Sequence, residues 1–452
     1  MVCRLLSLPS ESSWPLLLLR LAERADPRCD AQQRAEADVR RMIADVRERG
    51  DAALLDFTRR FDAPEMEGPL RVPEAALDEA VAAMSRDALE TIRNAAANLR
   101  EFHEAQKERS WFLTRADGSI LGQRVTPVER AGLYVPGGTG GNTPLVSSLL
   151  MTAIPALVAG VEEVAVVSPP RRDGTLNPAI LAAARIAGVR EVYRVGGAWA
   201  IAALAYGTPS LPAVDVIAGP GNLWVTTAKR LVQGTVGIDM IAGPSEVLIL
   251  AGASADPEWI AADMLSQAEH DTLASAVCLT DDEGVARAVT AALERRLQDL
   301  PRAEIAARAL ADWSAVAVLP DMEAAIALAN RIAPEHLEIL TATPWELLPR
   351  IRHAGAVFLG PYSPEPLGDY FAGPNHVLPT LGTARFSSAL SVQTFCKRTS
   401  VIAASAAFAA SAAEPVARLA RMECLEAHAR SIEARAQTRA KDAGSPGCGS
   451  RP

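Results

Sequence analysis

The chain has 452 residues, 49% hydrophobic and 22% charged, with a formal net charge of −9. That length exceeds one ordinary domain and predicts two core domains with smaller appendages, and the composition excludes a disordered chain. No Lys/Arg-rich stretch stands out, which excludes a nucleic-acid or acidic-membrane binder.

Near the start, the apolar run from Trp14 to Leu19 is far too short to span a bilayer, and Arg20 and Glu23 follow it. No small-residue cleavage site follows in the usual place, so neither a signal peptide nor a membrane anchor is expected. Residues 31–60 read as helix, with Ala35, Val39, Met42, Ile43 and Val46 at helical spacing, and 73–108 continue this way from Pro73. The expectation is a helical N-terminal region over 1–120.

The pattern changes near Gln123. Short apolar runs at 132–134, 163–168 (EVAVVS), 191–195 and 214–218 read as buried strands, with Ala-rich helical stretches such as 177–187 between them. A second set follows at 246–251 (EVLILA), 276–280, 315–319 and 356–360, with helices at 257–269, 284–298 and 322–331. This alternation predicts an α/β protein with two tandem units built on parallel sheets, over 121–243 and 244–383. The chain turns helical again over 402–436, inside a C-terminal arm spanning 384–440. Residues 441–452, mostly Gly, Ser, Pro and charge, are expected to form a disordered tail. Cys3, Cys29, Cys278, Cys396, Cys424 and Cys448 form no CxxC pair, which fits a reduced cytoplasm better than a disulfide scaffold.

Four of the six histidines sit in dense polar motifs. In Ser266-Gln-Ala-Glu-His270-Asp271, a helix capped by Asp256 and Pro257 ends, and Gln267 and His270 share one of its faces. They could hold one metal ion, or belong to a solvated helix end. In Pro334-Glu335-His336, Pro334 can open a short helix, and the pair suits acid/base work or a plain acidic cap. Gly368 to His376 reads as a loop in which Asp369 is a hard oxygen donor, or as a surface turn. Glu423 and His428 are five apart, so on a regular helix they would not share a face unless the helix ends between them. The loops Val135–Pro144, Gly219–Asn222 and Gly243–Glu246 are glycine-rich site candidates without a GxGxxG fingerprint.

Taken together, these segments resemble the histidinol dehydrogenase family from about Val39 to about Arg435. The resemblance rests on VRERGDAAL at 46–54, GLYVPGG at 132–138, GPGN at 219–222, GTVGIDMIAGPSEV at 234–247, LSQAEHD at 265–271, PEHLEI at 334–339, and GDY with NHVLPT between 368 and 380. It implies two incomplete Rossmann-like domains, an NAD side and a zinc/substrate side, in a domain-swapped homodimer with shared active sites. It implies one Zn2+ per subunit on Gln267, His270, Asp369 and His428, the last supplied by the C-terminal arm of a partner. Glu335 and His336 would be catalytic, His336 as general base and Glu335 as activator of water. Ser245 and Glu423, with Gln267, His270, His336, Asp369 and His428, would bind the substrate, and Tyr134 and Asn222 the cofactor. The implied activity is oxidation of L-histidinol through L-histidinaldehyde to L-histidine with NAD, in the cytoplasm. No cysteine is expected in catalysis; Cys278 and Cys396 read as structural and Cys424 as apolar packing. One departure stands out: Gly196-Gly-Ala198 is followed by Trp199, where the family has a glutamine that touches the dinucleotide. The rival readings are a paralogous zinc dehydrogenase of another small polar alcohol, such as a sulfonated diol, and a zinc hydrolase or non-catalytic binding protein.

Overall fold

The computed structural model describes residues 2–24, 30–138 and 141–442. They form two compact units, one from residues up to 107 together with 128–395, the other from 108–127 together with 396 onward.

Strand β1 (Arg4–Ser7) opens the first unit, where only helix was expected. It pairs in parallel with residues 315–318, Arg4 opposite Ala315. The helix Pro15–Glu23 follows, and the apolar run is explained by packing: Trp14, Leu17 and Leu21 are buried against the sheet core while Leu16 and Leu19 face out. Each such buried leucine is worth about 1.5–3 kcal/mol. The predicted helix over 31–60 is two helices, Asp30–Arg49 and Asp51–Phe61, broken at Gly50. Gly50 has φ +55, a left-handed conformation that glycine adopts without strain. Helices Glu74–Ala83 and Arg86–Glu104 complete this layer.

In the second unit, β2 (Trp111–Thr114) and β3 (Ile120–Pro127) form an antiparallel ladder with the later strand at Cys396–Ala403. In the first unit, β4 (Arg130–Tyr134), β5 (Glu163–Ser168), β6 (Glu191–Arg194), β7 (Val216–Ala218) and β8 (Gly237–Ile238) make a parallel sheet in the order β6-β5-β4-β7-β8. β9 (Glu246–Ala251), β10 (Ser275–Thr280), β11 (Ala315–Val318), β12 (His336–Leu340) and β13 (Ala356–Leu359) make a second, in the order β1-β11-β10-β9-β12-β13. Apart from the added β1, both sheets follow one pattern: third, second, first, fourth, fifth strand. β9, β10 and β12 are buried along their whole length, as strands covered by helices on both faces must be.

Three expectations give way here. Pro334 opens no helix: His336 is the first residue of β12, hydrogen-bonded between β9 and β13. Asp369 does not sit in a loop but in the short helix Glu365–Tyr370. Cys424 is exposed at φ +60 past a helix end rather than packed among apolar groups. The second unit ends in β14 (Cys396–Ala403) and helices Ala406–Met422 and Glu426–Asp442. Lys441 and Asp442 are helical, and the rest of the expected tail lies outside the described residues. No described helix is long and apolar enough to cross a membrane.

Candidate active site

The site grows from the starting edge of the second sheet. The helix Pro257–Ala268 is capped as its sequence predicts, Asp256 Oδ1 accepting from the Glu258 amide. Its far end delivers Gln267, fully buried, and His270, exposed just beyond the last turn. His270 Nδ1 lies 3.0 Å from the Ser266 carbonyl. A carbonyl can only accept, so Nδ1 carries the proton and Nε2 keeps its lone pair for a ligand. The short helix Glu365–Tyr370 doubles back from β13. Its Glu365 amide donates to Glu338 Oε1 at 2.8 Å, and Asp369 reaches the start of β12.

Donor atoms of His270, Glu365 and Asp369 lie within 4.8 Å of one another. Gln267 joins them through its amide. Turned so that its nitrogen faces Glu365, it donates at 2.9 and 3.1 Å to the two carboxylate oxygens; the reverse orientation would set an oxygen against an anion. This leaves the Gln267 oxygen free on the other side. Mixed nitrogen and oxygen donors with room for further ligands suit a working zinc ion.

Beside the donors stands the predicted catalytic pair. His336 Nδ1 donates to the Glu246 carbonyl at 3.1 Å. Its Nε2 is buried without a hydrogen-bond partner among the described residues, 3.5 Å from Asp369 Oδ1. Glu335 Oε2 accepts from the Glu246 amide at 2.9 Å and lies 3.7 Å from His336 Nδ1. Burial pushes the Glu335 carboxyl up to about 8 and the Glu365 carboxyl to about 7. Burial alone would lower His336, but Glu335, Asp369 and Glu365 outweigh it and hold the imidazole well above its ordinary value. Burial works against the Asp369 charge too, yet His336 keeps that carboxyl below the usual range. His376, singled out by its motif, has its Nδ1 3.0 Å from the Asp369 carbonyl and braces the short helix. Ser245 is half-buried immediately before β9.

A cavity of about 1210 Å³ opens at the finishing edge of the first sheet. Tyr134, Gly197, Trp199 and Asn222 line it, as do Arg60, Asp62 and Asp271. The Tyr134 hydroxyl accepts from the Gly197 amide at 3.3 Å, and burial keeps it protonated. Asn222 caps the helix Leu223–Val232, accepting from the Trp224 and Val225 amides at 3.1 and 3.2 Å. Trp199 is buried. Its Nε1 donates to Thr58 Oγ1 at 3.2 Å, and its ring lies 5.5 Å from Phe61 and 5.7 Å from Phe57. The ring packs under Gly197, where a Cβ would meet it at 2.4 Å. Asp62 Oδ2 is a buried acceptor without a donor among the described residues, and burial pushes the Asp62 carboxyl up to about 6. A cavity with helix starts, an open acceptor and an aromatic wall fits a dinucleotide.

Glu423 and His428 belong to the second unit and are exposed there. The first helix ends at Met422 and the next begins at Glu426, so they are not on one regular helix. The donor cluster does not include His428. Sequence reasoning missed Glu365 and Asp62, and reached Glu246 only as the end of the candidate loop Gly243–Glu246. Glu365 had one signal, its position four residues before Asp369; Asp62 had none.

Residues 26–436 match the model of the family described as histidinol dehydrogenase. The chain is 65% identical over 436 residues to the histidinol dehydrogenase of Nitratidesulfovibrio vulgaris, covering 96% of this chain and 99% of that one. It is 53% identical to that of Bacillus subtilis, covering 88% and 92%. The crystal structure of histidinol dehydrogenase from Elizabethkingia anophelis superposes with a TM-score of 0.90 at 35% identity, covering 97% and 98%. The chain belongs to the histidinol dehydrogenase family.

Proposed function

We propose that the protein oxidises L-histidinol to L-histidine in two successive NAD-dependent steps, with L-histidinaldehyde held between them. The observation that carries this reading is the place of Asp271. It follows the proposed zinc donor His270 directly and lines the cavity that begins at Tyr134 and Asn222, so the metal side adjoins the cofactor side.

Gln267, His270 and Asp369 would hold Zn2+, with His428 of the partner subunit as fourth ligand. Tyr134, Asn222 and Trp199 hold NAD. Bound there, zinc would supply a charged anchor for the polar groups of the substrate, and NAD the hydride acceptor. In its neutral form His336 takes the alcohol proton on Nε2, the nitrogen its bond to the Glu246 carbonyl leaves free. Glu335, held near 8 by burial, can give and take a proton near neutral pH and draws one from the water that hydrates the aldehyde. His336 then takes the proton of the hydrate. Ser245 and Glu423 bind the polar groups of the substrate. Retaining the aldehyde shields it from side reactions.

The strand order shared by both sheets is that of a dinucleotide-binding fold lacking its sixth strand, which supports incomplete Rossmann-like domains over 121–243 and 244–383. The exposed arm with Glu423 and His428 supports a domain-swapped homodimer, and the biosynthetic role a cytoplasmic setting. A hydrolase would leave the cavity at Tyr134 and Trp199 without an occupant. The test is NADH absorbance on adding L-histidinol and NAD to zinc-loaded protein, with product analysis. Two NADH per histidine are expected. No NADH with histidinol, but turnover of another amino or sulfonated alcohol, would move the enzyme to a paralogous substrate.

A further inference from the structure

The catalytic pair is held by one residue, and that residue is held from outside the span the family model matches. Glu246, buried at the start of β9, commits every polar group it has. Its amide donates to Glu335 at 2.9 Å and its carbonyl accepts from His336 at 3.1 Å. Its side-chain Oε1 accepts from the Leu381 amide at 3.0 Å, and its Oε2 is bonded to the guanidinium of Arg24. Arg24 precedes the matched span 26–436. Its side chain is 1% exposed, and its remaining donors go to the Leu21 carbonyl at 3.1 Å and the Leu273 carbonyl at 3.5 Å.

We propose that Arg24 is a positioning residue for Glu335 and His336, acting through Glu246. Both catalytic contacts of Glu246 are made by its backbone, so what matters is where that peptide sits. The side chain anchors it at two points, the Leu381 loop and Arg24. Arg24 is itself delivered on a fixed frame. β1 is paired residue by residue with β11, and Leu17 and Leu21 of the following helix pack in one core with Leu248 and Leu250 of β9. Without the guanidinium, a buried carboxylate loses its counter-charge and must take a proton or turn toward water. Either response shifts the Glu246 peptide. His336 Nδ1 then loses the acceptor that fixes its tautomer, and Glu335 loses its donor. Misplacement of about 1 Å at such groups can cost on the order of 10²-fold in rate. None of the zinc donors is hydrogen-bonded to Arg24 or Glu246 among the described residues.

This inference rests on the oxidation proposed above. The test uses the full-length zinc-loaded protein with Arg24→Met, Arg24→Lys and Glu246→Gln, each measured for kcat, KM for histidinol, zinc content and thermal midpoint. For Arg24→Met, kcat should fall about 10- to 100-fold while KM stays within about threefold and zinc content is unchanged. Arg24→Lys, which keeps the charge but not the fork, should recover part of the loss. In a His336→Asn background the Arg24→Met effect should shrink to the part that acts through Glu335, because one of the two groups it positions is gone. An unchanged kcat in Arg24→Met, or a loss that adds in full to His336→Asn, overturns the proposal. If Arg24→Met does not fold, wild-type kcat in both Arg24→Lys and Glu246→Gln overturns it instead. Absence of NADH from the wild-type protein is a separate result and removes the oxidation itself.

Discussion

The two parallel sheets have the same strand order but carry their chemistry at opposite edges. In the first, the cavity proposed to take the cofactor is lined by residues that follow the finishing ends of β4, β5, β6 and β7. Helices start there, at Gly197 and after Asn222, and a helix start carries a partial positive charge suited to phosphates. In the second, the donors and bases gather where β9 and β12 begin. There the helix Pro257–Ala268 ends, and a helix end carries the partial negative charge that suits a cation. One topology used at both edges thus offers an anion seat and a cation seat. The general rule that α/β sites lie at the finishing ends of strands describes only the first.

That comparison can be broken by changes confined to one edge. The largest expected effect is at the base. His336→Asn should lower kcat about 10²- to 10⁴-fold, while NADH binding followed by fluorescence stays unchanged. A parallel loss of NADH binding would show that the edges are not separable. Next comes the amide orientation. Glu365→Leu removes the acceptor of the Gln267 nitrogen and should weaken zinc binding about 10- to 100-fold in a chelator competition; Glu365→Gln, which can still accept, should lose much less. Equal losses in both variants would make Glu365 itself a ligand. The smallest effect belongs to the cofactor edge. Asp62 has a folded value of about 6, raised by burial, against about 3.9 in an unfolded chain. Between those values only the folded state keeps the proton, so stability falls as pH rises from about 4 to 6 and then levels off. Asp62→Asn should therefore raise the thermal midpoint by a few degrees above pH 6, with the gain fading toward pH 4 and zinc content unaffected. A gain that persists below pH 4 would assign it to something other than the Asp62 charge.

What the sequence showed and hid follows from length and punctuation. EVAVVS and EVLILA are continuous apolar runs, and they are strands over 163–168 and 246–251 as expected. β12 escaped because Pro334 and the charged pair imitate a helix start, while the alternation of Leu337 and Ile339 is too short to contradict it. The Asp369 helix was masked by Pro364, Pro366 and Gly368 within five residues. Asp256 and Pro257 gave their helix away because a cap is a local event. The clamp of Arg24 on Glu246 could not be seen, since a pairing across 222 positions leaves no periodicity. Trp199 was visible as a departure, but not that its ring joins Phe57 and Phe61 in the wall instead of standing free in the groove.

The pairing of Arg4 with Ala315 also has a consequence for biosynthesis. At about 5–20 residues per second, roughly 15–60 s separate the appearance of the first strand from that of its partner. All five strands of the first sheet leave the ribosome in the interval and can pair there, while β1 waits. The edge strand of the second sheet is thus made long before its partner and can dock only after it. A chaperone or protease acting on the nascent chain would meet it exposed throughout that wait.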